Sequence, residues 1–430
     1  MPSSSFSSKS SVGTALVIGA GVVGFACALQ LLRRGFAVTL LSDERGGDAA
    51  SWGNAGHLAS EQVAPLASFA ALRSAWQRRY ARGGPVHVRD LRTTAPWIAR
   101  YLRASLPHRF RRGKAALRLL LECALPAWHR LAQELGDPGL VREAGHLVLW
   151  ESERSAARGR SGWRRSDIGS ASCGPLSAEE TALLARLLPQ LRIDGIRFRA
   201  TGQVRDLVAL SQRLRDRFVA RGGIKFGARV SELRLRDRQA EAVLEDASTL
   251  HADRVVVCAG VDSDVLMRTL GEPAPLVAER GYHVEWREHD WPAAMPPTVF
   301  EDRSVILTRF DSGLRLAGFT EFAHRETPPD PSKWSLLETH ARELGLPVRG
   351  APRRWMGARP TLPDYLPAIG RSRVADNVLY AFGHQHLGLT LAAITGELIA
   401  ALATGAYAPR SIDAFDLARF GACVAPESVA

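Results

Sequence analysis

The stretch "TALVIGAGVVGFACALQLLRRGFAVTLLSDE" constrains the fold more than any other part of the chain. Its unbroken apolar run over 14–18 predicts a strand covered on both faces, as in a parallel sheet. Gly19-Ala-Gly21-Val23-Gly24 fall in a G-x-G-x-x-G spacing between that strand and a predicted helix over 22–34, with a second strand over 37–41. In this context the first glycine makes the turn, the second admits a pyrophosphate, and the third lets helix pack on strand. The helix N-terminus offers amide donors and the positive end of its dipole to phosphates. Gly35 follows the helix, where a left-handed cap is wanted. The chain therefore opens on a βαβ unit suited to a dinucleotide. The acidic residue that holds the ribose belongs near position 42, but this chain has Ser42 there, followed by Asp43 and Glu44. The ribose ligand is either that serine or one of the two acids.

A chain of 430 residues is too long for one simple core and admits two or three domains. With 46% hydrophobic and 23% charged residues it has a soluble globular composition. Five cysteines without a C-x-x-C pair argue against a disulfide framework or structural zinc, and fit a reducing compartment. The formal charge of +12 is concentrated: residues 71–120 hold thirteen Lys/Arg and one acid. Such a segment meets a nucleic acid, docks on an anionic membrane, or is a solvated helical face. No nucleic-acid motif accompanies it. Arg100, Arg103, Arg111 and Arg118 recur at roughly helical spacing, which favours the solvated face, with membrane docking next. Residues 1–11 are serine-rich and are expected to be disordered. The apolar stretch 12–32 is interrupted by glycines and lacks a convincing cleavage site, so neither a spanning helix nor an export signal is expected. The expected location is the cytoplasm, with the inner face of the cell membrane as a peripheral site.

Further along, 145–150 reads as a strand, 155–174 as a polar loop, and 206–223 as an amphipathic helix. A buried strand over 254–258 ends in Ala259-Gly260, 276–350 is strand-rich, and 378–382 and 388–404 read as strand and helix. Parallel α/β signals at the start, near 205–260 and at the end predict one nucleotide-binding domain assembled from separate pieces. Its segments are 12–70, 195–275 and 352–430; the insertions 71–194 and 276–351 form the second domain. The strand "RVVVCAG" resembles the second nucleotide-domain strand of two-domain flavoproteins, and "ASWGNAGHLAS" has the right place to run along a flavin edge.

The motifs "GAGVVG…GGDAASWGNAGH", "RVVVCAG", "AERGYH", "WMGARPTLPDYLPAIG" and "GHQHLGLTLAAITGELI" occur in the order seen in the FAD-dependent D-amino acid oxidase-like superfamily. Over residues 14–405 the chain most resembles the bacterial D-amino acid dehydrogenase and D-hydroxyproline dehydrogenase branch. The resemblance implies an α/β, two-domain flavoprotein: a Rossmann-like FAD domain with a discontinuous, sheet-based substrate domain and a helical insertion. It implies non-covalent FAD and oxidation of the Cα–N bond of an amino or imino acid, with a quinone- or dye-like acceptor. Carried over by position, it implies cofactor contacts at Gly19, Gly21, Val23, Gly24, Ser42, Asp43, Glu44, Ser51, Asn54, Gly56 and His57. Further along the chain it implies them at Val230, Ala259, Gly260, Gly357, His384, Gly388, Leu389 and Thr390.

Arg359 occupies the place of the superfamily's carboxylate-binding arginine; the alternative is a surface salt bridge. Tyr282 and His283 begin a strand that roofs the substrate in relatives, where the tyrosine hydroxyl holds the carboxylate or the ring simply packs. His57 ends the loop beside the flavin, within reach of substrate or cofactor. His384 and His386 lack a third and fourth partner of metal-ligand spacing, so no metal site is expected. His386 is expected to face the active site and His384 to pack against the flavin ring. The leading expectation is a D-hydroxyproline- or D-proline-type dehydrogenase. The alternatives are an oxygen-using glycine or sarcosine oxidase and a flavin-binding subunit of a larger assembly.

Overall fold

The apolar runs from the two ends and the middle of the chain meet in one six-stranded sheet. Its order is Ile224–Phe226, Phe36–Leu41, Gly13–Ile18, Arg254–Val257, Val378–Phe382 and Ala368–Arg371. The first five strands are parallel and the last is antiparallel. This computed structural model describes residues 11–43, 49–75, 80, 84–406 and 412–421; the serine-rich 1–10 and Glu44 lie outside them. Successive strand side chains alternate in direction, so Ala15 and Val17 enter one core while Leu16 and Ile18 enter another. The first core is closed by helices Val22–Arg33, Leu207–Ala220 and Gly388–Thr404. The second is closed by a three-stranded antiparallel layer and the helix Ser263–Thr269. Gln385–Thr404 is the described stretch of helix long and apolar enough to cross a membrane. Here its apolar surface is used inside the protein, against Val22–Arg33 and Ala124–Glu134.

The larger sheet has nine strands. Arg353–Thr361, Val277–Trp286, Gly313–Ala323, Val305–Phe310, Thr298–Phe300, His146–Trp150, Asp194–Arg199 and Ser172–Pro175 lie in that order, with Val86–Val88 beside Gly313–Ala323. A small sheet of His57–Leu58, Gly202–Val204 and Val141–Arg142 adjoins it.

Several boundaries read from the sequence move. The sequence reading assigns 195–199 and 353–361 to the nucleotide-binding segments, but the strands that hold them hydrogen-bond into the nine-stranded sheet. The helices Pro107–Glu122 and Ala124–Glu134 were placed with the insertion. Instead Leu117, Leu121, Trp128 and Leu131 pack into the core beneath Gly388–Thr404, where the Trp128 indole donates to the Leu389 carbonyl at 2.9 Å. The polar stretch 155–174 was expected to be a loop, yet Glu153–Arg165 is helical. Ser152 caps it by accepting the Ser155 amide. Ala156 and Trp163 turn inward toward Phe198, so two apolar contacts suffice to anchor an otherwise arginine-covered helix. The four described cysteines are free thiols.

The back of the nine-stranded sheet carries a buried charge cluster. Glu321 receives Arg280 Nε at 2.9 Å, Lys333 Nζ at 2.6 Å and the Tyr282 hydroxyl at 2.9 Å. Arg280, Glu321 and Lys333 are fully buried, and Lys333 also pairs with Asp330 at 2.7 Å. Removing one member of a buried pair leaves its partner charged and unsolvated. Lys333→Met is therefore expected to lower stability by about 3–5 kcal/mol, read as a fall in melting temperature of the flavin-loaded protein.

Candidate functional site

A cavity of about 1550 Å³ runs between the two sheets, from Ser42, Lys225 and Arg229 at one end to Arg359 and His386 at the other. The glycine turn forms part of its wall. Gly19 has φ +111°, and a side chain there would run into the Cys258 carbonyl. At Gly24 a methyl would overlap the Gly19 carbonyl oxygen. Gly21 is the N-cap of Val22–Arg33, whose first turn carries no acidic side chain, and Val22 N–H donates to Ser51 Oγ at 3.1 Å. A backbone closed this tightly around a positive helix end leaves room for a diphosphate and repels none of its charge. The elongated cavity and this cradle fit a dinucleotide of the FAD type.

Most of the positions expected to touch the cofactor line this cavity: Gly19, Gly21, Val23, Ser42, Asp43, Ser51, Asn54 and His57 do. So do Val230, Ala259, Gly260, Gly357, His384, Gly388 and Leu389. Three do not. Gly24 is used against Gly19, Gly56 carbonyl accepts the Val204 amide at 2.9 Å, and Thr390 Oγ1 accepts the Ala59 amide at 3.0 Å. Each supports the lining from behind. At the ribose end Arg229 lies 3.8 Å from Asp43, and with Lys225 it adds cationic lining that the sequence reading did not name.

The roof follows from one register. In the pairing of Val277–Trp286 with Arg353–Thr361, Glu279 faces Arg359, Gly281 faces Gly357 and His283 faces Trp355. These six share the cavity-side face because strand side chains alternate. Arg359 Nη1 donates to Glu279 Oε1 at 3.2 Å, and Thr361 Oγ1 holds the other carboxylate oxygen at 2.9 Å. The rest of the guanidinium lies over Gly281, where any side chain would displace it.

The same alternation corrects two expectations. Tyr282 points to the opposite face, where its hydroxyl donates to Glu321 and accepts from Arg280 and the Asp330 amide. The hydroxyl is engaged there and the ring packs against Trp334, while the residue also borders the cavity. His283 is on the correct face but behind the lining: it stacks on Trp355 at 4.9 Å and donates Nδ1–H to the Gly53 carbonyl at 3.0 Å. Burial, reinforced by the Arg315 charge, holds its pKa well below the ordinary value. It braces the loop at 51–57 rather than contacting substrate.

The two histidines of the turn before Gly388–Thr404 have different tasks. His384 is buried, with Nε2 3.0 Å from Thr395 Oγ1, and burial pushes its pKa down to about 3. His386 Nε2 donates to Gln62 Oε1 at 2.7 Å. Burial pushes its pKa down to about 4, with Arg359 acting in the same direction and Glu279 and Glu61 against it. Both rings are neutral at ordinary pH. The sequence reading missed Glu61, Gln62, His146, Glu279 and Trp355, all of which line the cavity. For Glu279 a signal was present: "AERGYH" read with period two places it beside Gly281, on the face away from Tyr282.

Side chains of metal-ligand type converge in two places among the described residues: His87, Glu321 and Asp330, and His57, Glu61 and His146. The first already holds the Lys333 ammonium.

The chain belongs to the FAD dependent oxidoreductase (DAO) family, whose profile matches residues 14–402. It is 34% identical over 417 residues to a D-amino-acid oxidase of Bradyrhizobium diazoefficiens, covering 94% of this chain and 98% of the relative. It is 31% identical to D-amino acid dehydrogenase 2 of Pseudomonas aeruginosa, over 89% of this chain and 93% of that one. Among solved structures, iminodiacetate oxidase from Chelativorans sp. BNC1 has a TM-score of 0.68 at 22% identity, covering 94% of this chain and 98% of that one. Glycine oxidase from Geobacillus kaustophilus has a TM-score of 0.67 at 19% identity, with the same two coverages of 94% and 98%. These two share the fold. The protein is thus an FAD-dependent oxidoreductase.

The histidines give a stability prediction. Held at about 3 and about 4 against an ordinary 6.5, His384 and His386 refuse protons that the unfolded chain accepts. Stability is expected to be full above pH ~6.5 and to fall as pH drops toward 4 and then 3. Melting temperatures measured across that window check this, and His384→Gln is expected to flatten the lower part of the curve.

Proposed function

We propose that the protein dehydrogenates the Cα–N bond of a D-amino or imino acid, a D-proline- or D-hydroxyproline-like compound being the best candidate. The observation that carries this reading is Arg359, a guanidinium on the roof of the cavity, 28% exposed and opposite the His386 turn. A planar fork of donors in a partly closed site suits a carboxylate. Glu279 and Thr361 fix the plane of that fork and leave its other edge, over Gly281, for the ligand. The resemblance to the D-amino acid dehydrogenase and D-hydroxyproline dehydrogenase branch, and the curated relatives' names, support the substrate class.

Bound FAD supplies the two-electron acceptor. The chain's own contribution is to hold the carboxylate at Arg359 and to give the substrate nitrogen a polar but uncharged neighbour. His386 donates its Nε2–H to Gln62, so Nδ1 presents a lone pair. A ring held at about 4 accepts a hydrogen bond at Nδ1 but takes up no second proton at neutral pH. The substrate ammonium therefore loses its proton to water before oxidation, and no enzymic group with a pKa near 6.5 is required.

For the acceptor we propose a membrane quinone, reached from a surface that carries the described exposed apolar residues between Leu66 and Leu119. What supports this is composition: Leu66, Phe69, Val88, Leu91, Leu102, Leu106 and Leu119 are exposed, among exposed arginines such as Arg100, Arg103, Arg109 and Arg111. Exposed apolar groups interleaved with cations match the interface of an anionic bilayer. Oxygen is the competing acceptor, since the Bradyrhizobium relative is named an oxidase.

Anaerobic titration of the flavin spectrum with D- and L-proline, hydroxyproline isomers, D-alanine, sarcosine and glycine tests the reaction. Bleaching by a D-imino acid is expected, and a spectrum that no amine bleaches would overturn it. Arg359→Lys is expected to raise KM by about ten- to a hundredfold, the loss of one charge-assisted hydrogen bond, while flavin content stays unchanged. Gly281→Ala is expected to act in the same direction by displacing the guanidinium. Reoxidation rates with quinone and oxygen, and sedimentation with anionic liposomes at low salt, test the acceptor; failure to sediment would return the arginines to ordinary solvation.

A further inference from the structure

Trp355 lies on the strand Arg353–Thr361, on the same cavity-side face as Arg359. Its indole is folded back along the strand. A methyl group at Gly357, or one at Gly53, would run into the benzene edge of the ring. The indole therefore occupies the space that two absent side chains leave between the roof strand and the loop at 51–57. His283 stacks on it with centroids 4.9 Å apart and planes 15° from parallel. Trp355 is half-buried and lines the cavity, whereas His283 stands behind the lining. The histidine thus covers the back of the indole, and the opposite side of the ring is the one presented to the cavity.

The frame around this ring is fixed. The carbonyls of Trp52 and Asn54 accept from Arg315 Nη1, and that of Gly53 accepts from His283. On the strand side, the Trp334 indole donates to the Trp355 carbonyl at 3.0 Å.

Two short paths locate the indole in the cavity. Ser51 Oγ accepts the Val22 amide at 3.1 Å, in the diphosphate cradle. Gly53 follows two residues on, a reach of at most about 7 Å. In the other direction, Gly357 is paired directly with Gly281, and such cross-strand Cα atoms lie about 4.5–5.5 Å apart. The Arg359 guanidinium covers Gly281. The indole therefore stands between the cradle and the guanidinium, close to both. The ribose end of the cavity, at Ser42, Lys225 and Arg229, lies away from Arg359, so the flavin half of an FAD held at the cradle extends toward Trp355.

We propose that Trp355 is a cofactor-contacting residue whose cavity-side indole face lies against the isoalloxazine and lowers the reduction potential of the flavin. The face of an aromatic ring is the negative part of its quadrupole, and a flavin gains electron density when it is reduced. Contact between the two favours the oxidised form. The two glycines admit the indole, and His283 holds it in place from behind. The proposal rests on the FAD of this family and holds whichever amino acid is oxidised.

The test uses the flavin-loaded protein labelled with 5-fluorotryptophan. The fluorine resonance that disappears in Trp355→Phe belongs to this indole, and it is expected to shift when the bound flavin is chemically reduced under anaerobic conditions. Equilibration of the holoprotein with a reference dye gives the second readout. At a fixed dye potential, Trp355→Leu is expected to move the ratio of reduced to oxidised flavin about two- to tenfold toward reduced. Trp355→Phe keeps an aromatic face of lower electron density and is expected to move it less, in the same direction; it carries the test alone if Trp355→Leu fails to hold flavin. A resonance that ignores flavin reduction, or a ratio that no variant moves, overturns the inference. A purely structural role would lower flavin content without moving the ratio. Chemical reduction needs no substrate, so a flavin that no amine bleaches would overturn the proposed reaction and leave this test standing.

Discussion

The register between Val277–Trp286 and Arg353–Thr361 governs the site. Because strand side chains alternate, one register fixes every other residue of both strands on the cavity side. It sets Glu279 against Arg359, clears two glycines between them and the next pair, and backs the loop at 51–57 with His283 and Trp355. A slip of Arg353–Thr361 by one residue would turn Arg359 away from the cavity and remove the guanidinium. The charge cluster of Arg280, Glu321 and Lys333 opposes a matching slip of Val277–Trp286, since its members are satisfied only on the far face. The two faces of the strand pair therefore hold each other in register.

Burial sets the electrostatics of the chamber. His146, His384 and His386 are pushed down to about 3, 3 and 4, so the imidazoles there act as neutral donors and acceptors. Arg359 is paired with Glu279, and the Glu61 carboxylate lies 3.2 Å from His57 Nε2. A chamber lined by neutral rings and a paired guanidinium suits the proposed amino-acid ligand by geometry more than by net charge. It also spares the protein the cost of an isolated buried ion.

The excess positive charge lies elsewhere. Within the basic segment, Lys114 and Arg118 pair with Asp167, and Arg89 donates to the Pro328 carbonyl. Arginines of the helix Leu91–Ala104 face outward beside exposed leucines. Part of the cluster thus stitches the helical insertion to the rest, and part forms a free surface. That surface meets the cavity lining at Leu66.

The opening βαβ unit, the closing strand and helix, and the place of Arg359 were legible in the sequence. Each depends on local rules: apolar period, a glycine turn required by close backbone approach, and motif order. Ser152 and the inward Ala156 and Trp163 show where locality failed, since a helix covered in arginines is stabilised by Phe198, some forty residues on. Tyr282 and His283 were misplaced for a related reason. The sequence showed that they lie on a strand, but only its partners decide which face sees the cavity. Glu61, Gln62 and His146 were invisible because nothing in their own neighbourhoods marks them. Their chemistry arises where the His57 loop, the strand His146–Trp150 and the turn at His386 converge, and only tertiary packing brings such distant segments within hydrogen-bond reach. The sequence by itself determined the dinucleotide cradle, a property of continuous chain. The tertiary structure decided the substrate chamber, because its walls are drawn from separated segments whose facing is set by pairing and burial.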